Sequence, residues 1–77
     1  MESKSKKINV LYHKYGENEI NNIIQTIEGR NKPILCMFFG IIGEQKESAE
    51  HIAERFGITK IAVYKIVDRE LKRIEKR

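Results

Sequence analysis

Along residues 17–29, Ile20, Ile23, Ile24 and Ile27 recur at i, i+3, i+4 and i+7, behind an acidic start at Glu17 and Glu19. That spacing predicts an amphipathic helix; the acids suit the positive end of its dipole, and Gly29 is placed to end it. A second apolar run, 34–39, follows Pro33, whose missing N–H costs nothing in the first turn of a helix. The run is almost wholly apolar, so it predicts the centre of the core. The segment GIIGEQKE, 40–47, holds two glycines and then polar residues, and reads as a connecting loop.

Ser48 then stands as an N-cap, because its hydroxyl can accept from the free N–H groups of the next turn. His51 rather than Glu occupies the third helical position, so no capping box forms. The helix expected over 49–56 buries Ile52, Ala53 and Phe56, and Gly57 supplies the left-handed residue that ends it. Thr59 caps a last helix, which meets no Gly or Pro between residues 60 and 77.

The N-terminal pattern is weaker. Residues 1–7 are polar, basic and aperiodic, which predicts a flexible tail. In INVLYHKY, 8–15, the apolar residues are too few to fix a period, so a short helix and an extended arm stay open. The expected organisation is a basic arm over 1–16 and an all-α small helical bundle over 17–77. No strand signal competes and no repeat is present.

With 77 residues the chain is one domain with a thin core, and 40% hydrophobic against 34% charged residues is a globular composition. No run nears the roughly 18 apolar residues of a membrane span, and the start MESKSKKINV lacks the apolar stretch of a secretory signal, so a cytoplasmic protein is expected. Cys36, the single cysteine, lies within ILCMFFG and is expected as a buried reduced thiol. His13 and His51 offer no metal-ligand set, and no phosphate-cradling loop or nucleophile pair is visible. An enzyme is not expected, nor a cofactor. Tyr12 and Tyr15, with His13 and Lys14 between them, read as a satellite contact on the core, or as a stacking surface.

Charge is uneven. The net +4 divides into +3 over 1–15, −3 over 16–58 and +4 over 59–77. Positive charge at the two ends suits an approach to a polyanion, although any soluble helix can carry a solvated basic face.

The small Ala53, the turn at Gly57, and the apolar Ile58, Val63 and Ile66 together meet the packing needs of a helix-turn-helix. From Pro33 onward the chain goes further and resembles region 4 of bacterial RNA polymerase sigma factors, which reads the minus-35 promoter element. The resemblance lies in ILCMFFGIIGEQKES, with its Phe39-Gly40 step and loop to Ser48, in AEHIAERFGIT, and in KIAVYKIVDRELKRIEKR with its end from Leu71 to Ile74.

The resemblance implies that the helix over 60–75 enters the major groove of double-stranded promoter DNA while the helix after Ser48 crosses the backbone. At about 100° per residue, Val63, Ile66, Val67 and Ile74 face the core, and Ile61, Lys65, Asp68, Arg69, Lys72 and Lys76 face away. Lys60 and Tyr64 lie towards one flank. Ile61 can pack on a thymine methyl, and Lys60 or Lys65 can reach guanine or phosphate. Where the family typically has Arg, Glu and Gln, this chain has Lys60, Ile61 and Lys65, so an altered base preference is implied. Ser48 and Thr59, at helix N-termini, suit phosphates as well as caps, and Lys46 and Arg55 add charge.

The apolar segment is larger than one inward face needs. In the family the corresponding surface packs on the flap of the RNA polymerase beta subunit, so the resemblance implies that partner here, through Phe38, Phe39 and Ile42. The chain has no room for a promoter-melting region, which implies a fragment, a partner of another sigma-like chain, or a regulator. Two other readings stay open: a free-standing dimeric repressor or activator, and a sigma-mimicking protein-binding module.

Overall fold

The computed structural model describes residues 2–76, with side chains from residue 8 to residue 76. Its order is α1 (Glu2–Tyr15), α2 (Glu17–Gln25), α3 (Asn31–Phe39), α4 (Ala49–Phe56) and α5 (Lys60–Glu75), with no strand among the described residues. No helix among them is long and apolar enough to cross a membrane.

The core forms around α3, where Ile34, Leu35, Cys36, Met37 and Phe38 are all buried. Helix α5 packs against each of the other four and sends Val63, Ile66, Val67, Leu71 and Ile74 inward. From α2 come Ile20 and Ile24, and from α4 Ala49, Ile52 and Ala53. Pro33, at the third position of α3, falls in the first turn as its missing donor requires.

The N-terminal segment departs from expectation. Rather than forming an arm apart from the bundle, Glu2–Tyr15 is helix α1, packed on α2 and α5, with Ile8 and Leu11 buried in the shared core. The expected flexible tail over 1–7 is therefore helical from residue 2, and residue 1 lies outside the described residues. Gly16, at φ 94°, turns the chain into α2, and the Tyr12 hydroxyl donates to Asn21 Oδ1 at 2.8 Å across that turn. Burying Ile8 and Leu11 gives α1 its reason to fold, since an isolated helix of this length is marginal in water whatever its propensity.

Helix α2 also ends four residues before Gly29. Thr26 closes it, its N–H directed at the carbonyls of Ile23 and Ile24 and its hydroxyl donating to Ile23 O at 2.6 Å. Gly29, at φ 74°, belongs instead to the turn leading into α3.

After α3 the chain folds back tightly. Gly40 is left-handed, at φ 67°, and a Cβ there would come within 2.9 Å of the Lys46 backbone N and Cβ. Glu47 N donates to Met37 O at 2.8 Å, tying the loop's end to the helix it left.

Candidate nucleic-acid interface

Two short caps fix the start of each of the last two helices. Ser48 Oγ accepts from His51 N at 3.1 Å, and Thr59 Oγ1 accepts from Ala62 N at 3.0 Å. The first cap is reinforced: His51 Nδ1 meets Glu47 Oε1 at 2.5 Å, a side-chain bond outside the usual capping box. Between the helices Gly57 is left-handed, at φ 67°, and Ile58 N donates back to Ala53 O at 3.0 Å, closing α4 in the manner of a Schellman turn. Only residues 57–59 separate α4 from α5.

These anchors set the rotation of α5. Its inner face is buried, and Ile61, Lys65, Arg69, Lys72 and Lys76 are exposed on the other side. At about 100° per residue those five fall within about 80° of one another, so four cations and one isoleucine form a single stripe. Ile61 is 65% exposed, an unusual fraction for so large an apolar residue in the first turn of a helix that otherwise buries its isoleucines. Asp68 is half-buried on the same side.

The positions expected to act together divide into two groups. Ile61, Lys65 and Arg69 lie on the stripe. Ser48, Lys60 and Tyr64 line a separate hollow of about 280 Å³ between the start of α4 and the start of α5, with Phe38 at its base. There the Phe38 and Tyr64 rings meet edge to face at 5.9 Å, and Lys60 Nζ lies 3.5 Å from Glu50 Oε2. Both ends of that ion pair are exposed, so it adds little stability, and with Glu47 and Glu50 against Lys46 and Lys60 the hollow is of mixed charge. Thr59 acts at the α5 N-terminus as its cap.

The apolar surface expected at Phe38, Phe39 and Ile42 is smaller than the sequence suggests. Phe38 is buried against Phe39, at 5.2 Å, and Tyr64, so it presents little surface to a partner. Phe39 and Ile42 remain partly exposed while packing on the core. Ile42 sits at φ 53°, a left-handed conformation that costs a β-branched residue roughly 1–2 kcal/mol and holds only where surrounding structure imposes it.

Glu70 was not foreseen. It is 2% exposed, inside the core face of α5, and its carboxylate accepts from Asn31 Nδ2 at 2.8 Å and from Arg73 Nη1 at 3.3 and 3.4 Å. One of the basic residues of α5 thus spends part of its charge on an internal partner. The angular position of Glu70, between Val63 and Ile66, was the available signal.

Cys36 is buried, and its thiol is pushed above the ordinary value, mainly by burial, with Glu44 adding and Lys32 opposing. Such a thiol is a poor nucleophile. Among the described residues no three His, Cys, Asp or Glu side chains gather in a metal-ligating group. Compared with family models, curated proteins and solved structures, the chain finds no significant match.

Proposed function

We propose that the chain is a DNA-binding transcription module of the sigma region-4 kind, with α4 and α5 as its helix-turn-helix and α5 as the helix that enters the major groove. The observation carrying this reading is the outer stripe of α5, where Ile61 stands exposed in line with Lys65, Arg69, Lys72 and Lys76. Cations supply attraction to phosphates at any sequence, and an exposed aliphatic group among them has a use against a thymine methyl. The rigid capping of both helices supports the same reading, because base readout needs a helix held at a fixed angle.

RNA polymerase is the proposed protein partner, docked through Phe39 and Ile42, the two residues of the expected patch that keep exposed surface. Phe38 has no part in that contact.

Selection of bound duplexes from a randomised library, with the purified chain alone, tests the proposal. Enrichment of one short asymmetric motif supports it, and a palindrome transfers the case to a free-standing dimeric regulator. No enriched motif together with no affinity for any duplex at low salt removes DNA as the ligand.

A further inference from the structure

A groove beside the C-terminal end of α5 shares only Lys76 with this reading. One cleft of about 640 Å³ and a second of about 480 Å³ share Ile23 and Ile74, and so run together between α2 and the last turns of α5. Along its length the walls and floor include Ile20, Ile23, Ile27 and Ile74, with Tyr15 at one end, 43% exposed. Ile61 lies thirteen residues up α5 from Ile74, about 20 Å away along the helix, so the groove lies well away from the start of the basic stripe and meets it only at Lys76.

The two walls carry opposite charge. Glu19 and Glu28 are exposed on the α2 side; on the α5 side Arg73 and Lys76 are exposed, with the buried Glu70 carboxylate held beneath Arg73. We infer that a second copy of this chain docks in this groove about a two-fold axis. In such an isologous contact the acidic wall of each copy meets the basic wall of the other, while Tyr15, Ile23 and Ile27 are covered. A partner helix of uniform charge would be attracted by one wall and repelled by the other; a copy of the chain satisfies both at once. Exposed ion pairs add little affinity but fix orientation, so the apolar walls supply the affinity and the charges the register.

The interface is modest. A standard interface takes about 800 Å² from each partner, roughly a sixth of this chain's 5145 Å² surface. The groove's lining exposes less than that, which places the dimer at the weak, reversible end.

Sedimentation equilibrium from about 5 to about 500 μM, without nucleic acid, tests the inference independently of the DNA proposal. The unaltered chain is expected to pass from monomer to dimer across about a hundredfold in concentration. A chain carrying Glu19→Lys with Glu28→Lys has two basic walls, and one carrying Lys76→Glu with Arg73→Gln has a weakened, partly reversed basic wall. Each alone should dimerise at least about tenfold more weakly, and an equimolar mixture should recover association, which no loss of folding can produce. In the unaltered chain, mixed-isotope NMR should give contacts between the Ile23 or Ile27 methyls of one copy and the α5 end of the other. A monomer throughout, or a dimer indifferent to both pairs of substitutions, overturns the inference.

Discussion

Asn31 Nδ2 donates to Glu70 Oε2 at 2.8 Å, joining the first residue of α3 to the buried face of α5 across 39 positions of sequence. The carboxylate is nearly inaccessible, while the side chain of its other partner, Arg73, is 69% exposed. The amide is therefore the partner that decides whether burying this carboxylate is tolerable. Asn31→Ala is expected to cost about 1–3 kcal/mol, the penalty for leaving a buried charged acceptor short of a donor. Arg73→Ala should cost less than about 1 kcal/mol, because solvent screens its side of the pair. Glu70→Leu should be near neutral, since it removes the charge together with its need. Urea unfolding of the three variants checks the order; equal losses for Asn31→Ala and Arg73→Ala would contradict it.

Gly40 and Gly57 share the same φ of 67° but not the same surroundings. A Cβ on Gly40 would sit 2.9 Å from Lys46 backbone N, whereas one on Gly57 would meet nothing within 4 Å. Gly57→Ala therefore carries only the left-handed penalty, about 1–2 kcal/mol. Gly40→Ala carries that penalty and a collision with backbone, and is expected to lose at least about 1 kcal/mol more by thermal or urea denaturation. Similar losses at the two positions would mean that the loop after α3 yields easily.

Most of the helical layout was legible in the sequence because the punctuation was local. Ser48, Gly57 and Thr59 act within a turn of themselves, and each does in the structure what its type and position imply. The end of α2 was not legible. Gly29 looked like its stop, but Thr26 stops it earlier with its own hydroxyl on Ile23 O. In residues 8–15 the spacing of Ile8, Leu11, Tyr12 and Tyr15 is i, i+3, i+4, i+7, but it spans a single repeat and Val10, exposed in the structure, falls out of phase, too little to separate a helix from an extended arm. At the candidate site the direction of Ile61 and Lys65 followed from helical periodicity. The withdrawal of Phe38 did not, because it depends on a ring contact with Tyr64, 26 residues away in the chain. Asn31 and Glu70 are a tertiary pair for the same reason.

Alkaline conditions should reveal one buried and one half-buried group. Burial is the main cause that raises the Cys36 thiol above 9.0, and it likewise raises the Tyr12 phenol above 10.0, with Glu17 and then Cys36 adding to it. In both cases the unfolded chain releases its proton first, so the folded chain binds more protons and stability falls as pH rises. The contribution is whole below pH 9.0 and is lost from there upward, first through Cys36 and then through Tyr12. Melting temperature measured from pH 7 to about 11 should bend downward above about 9. Cys36→Ala should flatten the first part of that bend and Tyr12→Phe the second, whatever each does to stability at neutral pH.

Duplex binding should separate the stripe of α5 from its flank. Lys65→Ala and Arg69→Glu remove charge from the exposed face and are expected to weaken binding strongly, whereas Lys60→Ala removes a residue already engaged with Glu50 and should do less. If about four phosphates are neutralised, the log-log slope of affinity against salt is near −3.6, and each lost phosphate contact lowers its magnitude by about 0.9. Fluorescence anisotropy over a salt series measures both. Unchanged affinity in both Lys65→Ala and Arg69→Glu would sink the proposed orientation of α5.

Whether residues 1–16 are an accessory arm or part of the folding unit is decided by Leu11 and Val10, neighbours on α1 with opposite environments. Leu11 is buried in the common core, and Val10 is 61% exposed. Truncating a buried leucine to alanine costs about 2–5 kcal/mol, while an exposed site away from special features moves stability by less than about 0.5 kcal/mol. A domain of this length holds only about 4–12 kcal/mol in total, so Leu11→Ala should remove a large share of it and Val10→Ala almost none. Deleting the whole segment takes away Ile8 as well and uncovers the surfaces of α2 and α5 on which α1 packs. The shortened chain should then lose its cooperative melting transition, followed by circular dichroism at 222 nm. A truncated chain that melts as sharply and at the same temperature as the full one would return α1 to the status of an arm.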